Sequence, residues 1–173
     1  MEQKLTIRTA TIADLEEVTK LEQRCFPIAE AATRKALEER LLHYPNHFWL
    51  LMDGKKVVGM VNGMLTNEPD LSDEMYENVS IHNKKGQWQM IFGLDTSPEY
   101  RNQGCATRLM QHVIDETRKH NRQGIVLTCK EKLVQYYAKF GFVNEGVSTS
   151  KHGDVQWYQM RLTTKNMIKG ENE

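Results

Sequence analysis

Arg101, Gly104 and Ala106 stand in the spacing Arg-x-x-Gly-x-Ala, inside the run Gly93-Leu-Asp-Thr-Ser-Pro-Glu-Tyr-Arg-Asn-Gln-Gly-Cys-Ala-Thr-Arg-Leu109. The run reads as a strand, a glycine-bearing loop and a strong helix in direct succession. A helix start leaves backbone N–H groups unpaired and carries partial positive charge, which together make a site for an anion. Gly104 lacks the Cβ that would keep a phosphate from the backbone, and Ala106 is small for the same reason. Arg101 adds a fixed positive charge at the mouth. The chemistry these residues ask for is the binding of a phosphate or pyrophosphate. The run carries neither the dinucleotide fingerprint G-x-G-x-x-G nor the P-loop pattern ending in Lys-Ser/Thr.

The elements that must position this loop follow from pattern. Leu5–Arg8 alternates as a short strand, and Thr11 with Asp14 marks a helix start whose apolar face is Leu15, Val18 and Leu21. Pro27 interrupts that helix. A second helix carries Ala32, Ala36, Leu37, Leu41 and Leu42 and stops at Tyr44-Pro-Asn46. Phe48–Met52 and Val57–Leu65 are strands joined by a hairpin at Asp53-Gly54. Thr66–Gly86 has no period and reads as a long loop.

Gln87–Thr96 is the next strand, and Pro98 ends it. In the helix over Gly104–Asn121, Ala106, Leu109, Met110, Val113, Ile114 and Thr117 share one face. Ile125–Cys129 is a strand, Leu133–Phe140 a helix closed by Gly141, and Phe142–Val147 and Val155–Leu162 two last strands. The expected architecture is α/β (α+β, mixed sheet): one domain over 1–163, about seven strands with helices on both faces, and a polar tail at 164–173.

Bulk composition narrows the function classes. The 173 residues suit one domain, and 23 Lys and Arg against 23 Asp and Glu leave no basic footprint for nucleic acid. No apolar run is long enough to span a bilayer, and the N-terminus does not read as a signal peptide. Cys25, Cys105 and Cys129 are widely spaced, with no CxxC pair, so no metal site is expected. The expected location is the cytoplasm.

The loop resembles the acetyl-CoA pyrophosphate loop Q/R-x-x-G-x-G/A of the GCN5-related N-acetyltransferase (GNAT) superfamily. Gln135-Tyr-Tyr-Ala-Lys-Phe-Gly-Phe142 is similar to that superfamily's F/Y-Y-x-K-x-G-F segment, and the order of elements from Leu5 to Leu162 matches as well. Among its branches the chain looks most like the arylalkylamine N-acetyltransferases, through Cys129–Phe142 and Asp154–Met160. The resemblance implies acetyl-CoA as cosubstrate and direct attack of a neutral primary amine on the thioester. It implies that the strand carrying Leu94, Asp95 and Thr96 pairs with pantetheine. Arg101, Asn102, Gln103, Gly104, Cys105, Ala106 and Thr107 would hold the pyrophosphate. Tyr137 would protonate the leaving sulfur, with Tyr136 turned to the core.

The arylalkylamine branch carries two histidines on the strand before the loop, and Met90 and Phe92 stand there instead. Neither moves a proton, so the base is open among Asp95, Glu99, Glu30, His82 or a water chain. Trp88, Met90, Phe92 and Phe26 are candidates for an apolar acceptor pocket, and the acidic run Glu68–Glu74 for drawing in a cation. Cys105 reads as a filler. The expected partner is a small-molecule amine, with a protein amino group, a non-catalytic acyl-CoA-binding module and a homodimer kept as alternatives. Nucleic acid and membrane are not expected.

Overall fold

The computed structural model describes residues 4–165. Among them are nine strands and four α-helices. They are β1 (Leu5–Thr9), α1 (Leu15–Cys25), α2 (Arg34–His43), β2 (Phe48–Asp53), β3 (Lys56–Asn62), β4 (Leu65–Thr66), β5 (Trp88–Ile91), β6 (Gly93–Thr96), α3 (Cys105–Lys119), β7 (Gly124–Cys129), α4 (Val134–Ala138), β8 (Val143–Val147) and β9 (Tyr158–Thr163). Most of the expected polar tail lies outside the described residues. Thr164 is held, its N–H donating to the Gln123 carbonyl at 2.9 Å.

The two strands beyond the expected seven come from interruption. The segments 57–65 and 87–96 each appear as two strands. At Gly63 a side chain is impossible: a β-carbon there would lie 1.7 Å from the Met90 carbonyl oxygen. At Phe92 the partner strand changes. β1, β2, β3 and β6 form one antiparallel set, and β4, β5, β7, β9 and β8 form the other. The sets are stitched by Phe92 N–H to the Asn62 carbonyl at 2.7 Å and Met90 N–H to the Met64 carbonyl at 2.8 Å. Within the second set β5 runs parallel to β7, and their register ends at Ile91 opposite Leu127. Beyond Phe92, β6 pairs only with β3 while β7 goes on beside β9, so the two strands part in a V.

Alternation along β2 loads both faces of the sheet. Leu50 and Met52 pack with Val18, Leu21, Leu37 and Leu41 of α1 and α2. Trp49 and Leu51 pack with Leu109, Met110, Val113 and Ile114 of α3. Burial on both sides accounts for the unbroken apolar run Phe48–Met52. The chain start is pinned by a reciprocal cap in which the Thr11 N–H donates to Asp14 Oδ2 at 2.8 Å and Ala13 N–H donates to Thr11 Oγ1 at 3.3 Å. That cap closes a 3-10 turn, and α1 proper starts at Leu15. The long loop folds back through two 3-10 turns, burying Leu71 and Met75 against Met64, Met90 and Val126.

Candidate functional site

Two joined cavities occupy the V. The larger, about 1330 Å³, is lined from one side by Glu22, Cys25 and the 26–33 loop, and from the other by Leu127–Lys130, His152 and Trp157. The smaller, about 450 Å³, runs over the 100–107 loop to Tyr136. Cys25, Phe26, Leu94, Arg101, Leu133 and Tyr137 line both.

The Arg101–Thr107 loop lies along the smaller cavity. The first hydrogen bond of α3 runs from Arg108 N–H to the Gly104 carbonyl at 3.0 Å, which leaves the N–H groups of 105–107 without an acceptor inside the helix. Gly104 caps the helix at φ 80, a left-handed conformation that disfavours any side chain. A β-carbon on Gly104 would meet no atom within 4 Å, so the space over the helix start is open. Asn102 is also left-handed, at φ 63. Of the expected loop residues, Arg101, Asn102, Gly104, Cys105, Ala106 and Thr107 line the smaller cavity. Gln103 lines neither, and its amide donates to the Glu99 carbonyl at 3.2 Å. Cys105 is 2 % exposed, and burial pushes its thiol up, which fits a filler and not a nucleophile.

On the strand, Leu94 and Thr96 face the cavities whereas Asp95 is turned under the sheet, 1 % exposed. Tyr137 is buried at 7 % exposure, ringed by Tyr136 and Phe142 at 5.2 and 5.9 Å. Burial first, then Cys129, Tyr136 and Asp95, raise its phenol above the ordinary tyrosine range, so it stays protonated at neutral pH. Tyr136, expected to face the core, is instead half exposed, with its hydroxyl 3.1 Å from Thr107 Oγ1. A helix of five residues has too little periodicity to fix which tyrosine turns inward, and the contact of Tyr137 with Phe142 decides it.

Two of the four candidates for an acceptor pocket line a cavity. Phe26 and Phe92 line the larger cavity, with Tyr76 4.7 Å from Phe92 and the Arg40 guanidinium 4.8 Å above the same ring. Met90 is core beside Tyr44 and Val126, and Trp88 lies under Arg161 at 4.7 Å. Two acids of the run Glu68–Glu74 are engaged within the fold. Asp70 pairs with Arg161 at 2.7 Å, and Asp73 accepts from the Lys151 N–H at 3.0 Å.

The candidate bases are dispersed. Glu99 is held down to about 2 by the Ser97 hydroxyl and Arg24 and lines neither cavity. His82 accepts from the Leu65 N–H at 3.1 Å, away from both cavities. Glu30 lines the larger cavity but pairs with Lys130 at 2.9 Å. Glu22, which looks in the sequence like one more polar residue of an amphipathic helix, also lines this cavity and is only 6 % exposed. The signal available was its place one turn before the Cys25–Pro27 break. Among the described residues no group of three His, Cys, Asp or Glu could hold a metal, and no helix is long and apolar enough to cross a membrane.

The two parting strands leave open space that reaches the start of α3. The profile of the Acetyltransferase (GNAT) family matches residues 15–142, and the chain belongs to that family. The fold is shared with a GNAT-like decarboxylase, GphF, solved with isobutyryl-CoA: TM-score 0.77, 19% identity, over 92% of this chain and 100% of that one. It is shared equally with the ribosomal-protein-S18-alanine N-acetyltransferase of Escherichia coli: TM-score 0.71, 17% identity, over 97% of each chain. A curated relative, the probable hydrolase YhcX of Bacillus subtilis (strain 168), is 24% identical over 135 residues, 73% of this chain. The chain spans only 26% of that relative's length. Likeness to the arylalkylamine branch in particular has no support among these comparisons.

Proposed function

We propose that the protein transfers the acetyl group of acetyl-CoA to a primary amine of a small molecule, by direct attack in the larger cavity. The observation that carries this reading is the continuity of the two cavities at Tyr137. The pyrophosphate would sit on the N–H groups of 102–107 beside Arg101, and pantetheine would run along Leu94–Thr96. This would bring the thioester to the join, where Tyr137 lines both cavities. A protonated phenol in a dry setting is suited to give its proton to the departing sulfur. Phe26, Tyr76, Phe92 and Trp157 form an apolar wall that suits an amine with an aromatic or otherwise apolar body. Fold alone does not choose an acyl-transfer chemistry, as the decarboxylase on the same fold illustrates. The test is a screen of primary amines with acetyl-CoA, read by thiol release. Turnover of arylalkyl or alkyl amines supports the reading. Acetyl-CoA binding with thiol release for no amine rejects it.

A further inference from the structure

Two carboxyl groups meet under the point where the sheet divides. Glu22 on α1 and Asp95 on β6 are 6 % and 1 % exposed. A β-carbon placed on Gly93 would lie 3.3 Å from Asp95 Oδ1 and 3.8 Å from Glu22 Oε1, so both groups flank one α-carbon at the cavity wall. Asn62 Nδ2 lies 3.9 Å from the same point. Among the described residues neither Asp95 oxygen meets a donor, and Asn62 Nδ2 has no acceptor. Glu22 is anchored by one bond, the Ala32 N–H to Oε2 at 2.8 Å.

Two carboxylates this close and this dry cannot both ionise. Arg40, the cation that acts on Asp95, is engaged: it donates to Asn62 Oδ1 at 2.9 Å and to the Tyr76 carbonyl at 3.0 Å. The other ionisable groups facing the pair are Cys25 on α1, Tyr76 on the long loop and Tyr137 on α4. Burial, and then the Glu22 charge, raise Asp95 well above the ordinary carboxylate range, so the shared proton rests there. Glu22 is the member of the pair that lines the larger cavity. Of the other carboxylates lining that cavity, Glu30 is paired with Lys130, Glu77 is exposed and Glu39 half exposed.

We infer that Glu22 is the proton acceptor for the incoming amine and that Asp95, out of substrate reach, is its positioning residue. The inference rests on the acetyl-transfer reading above. A primary amine with a proton affinity like that of lysine, pKa about 10.4, arrives as ammonium at neutral pH. An N–H bond of the ammonium breaks and an O–H bond forms on Glu22. The freed lone pair attacks the thioester carbon, the C–S bond breaks, and the sulfur takes a proton from Tyr137. The second amine proton replaces the one given by Tyr137, and the proton on Glu22 returns to water.

The test uses the full chain, acetyl-CoA and an amine from the thiol-release screen. Glu22→Gln should lower kcat by about 10²–10⁴-fold, remove the acidic limb of the kcat/KM profile and leave acetyl-CoA affinity unchanged. Asp95→Asn should lower kcat less than Glu22→Gln does and displace that limb, because the carboxyl group beside Glu22 is gone. A Glu22→Gln enzyme with the wild-type pH profile overturns the assignment, as does an Asp95→Asn limb that stays in place. Isotope-edited infrared spectroscopy reads the pair without turnover: at neutral pH the wild type should show a protonated-carboxyl band that Asp95→Asn lacks. No band overturns the shared proton whatever the activity. A band in a protein that acetylates no amine overturns the acceptor role together with the transfer reading, and locates the error in the reaction and not in the pair.

Discussion

Replacing Gly104 with glutamate separates the phosphate cradle from ordinary helix capping, with Gly104→Ala as the control. The residue sits at φ 80, where a side chain costs about 1–2 kcal/mol. No atom stands within 4 Å of the added β-carbon, so no clash adds to that cost. For a chain of this length each kcal/mol moves Tm by about 2–4 °C, so alanine should lower Tm by about 2–8 °C. Glutamate brings a negative charge to the positive end of α3, worth about 0.3–1 kcal/mol, and should be the more stable of the two variants. Ligand binding should run the other way. The glutamate carboxylate occupies the place the pyrophosphate needs and repels it, and micromolar binding, about −8 kcal/mol, should weaken by at least about 100-fold, or about 2.7 kcal/mol. The assay is calorimetric titration with acetyl-CoA beside thermal melts of all three proteins. Wild-type affinity in the glutamate variant would refute the cradle, and the 101–106 loop would then be a helix start and nothing more.

Tyr137→Phe should lower turnover by about 10²–10⁴-fold with acetyl-CoA affinity unchanged, measured by steady-state rates beside calorimetry, and equal turnover would remove Tyr137 from the chemistry. Because its phenol is raised, loss of the acid should set in only above the ordinary tyrosine value of about 10. Burial pushes His47 down to about 4, so the folded protein holds it neutral while the unfolded chain protonates it near 6.5. The unfolded state therefore binds more protons between those values, and stability should fall by up to about 3 kcal/mol as pH drops from about 6.5 to 4. Urea melts at pH 7 and pH 4.5 should show the loss in the wild type and a smaller one in His47→Gln; identical losses would contradict it.

What could be read in the sequence was local. The Arg101–Ala106 loop and the face Ala106, Leu109, Met110, Val113, Ile114 and Thr117 lie within one stretch of chain, and all of those face residues are buried except Ala106, which is half-buried. The Thr11–Asp14 cap was legible for the same reason. The division of 87–96 at Phe92 was not, because it depends on β6 following β3 while β7 follows β9. Glu22 and Asp95 stand on an amphipathic helix and a short strand, each unremarkable alone, and only the fold sets them against one glycine. Trp88 and Met90 share a cluster with Phe92 but line neither cavity, because Met90 is enclosed by core neighbours and Trp88 lies under Arg161, whereas Phe92 stands where the strands part.

The parted strands also shape how the protein holds itself together. Between Phe92 and the end of β7 the sheet lacks one rung-bearing strand, and its two halves are stitched mainly around Gly63 and Phe92. An extended ligand lying in the V would supply backbone-like partners to β6 and act as a removable strand. Folding and ligand occupancy are then thermodynamically one equilibrium: at a ligand concentration 100-fold above Kd the folded state gains about 2.7 kcal/mol. The gap that would admit such a ligand leaves the empty protein without those partners, so the ligand-free chain should melt at the lower temperature.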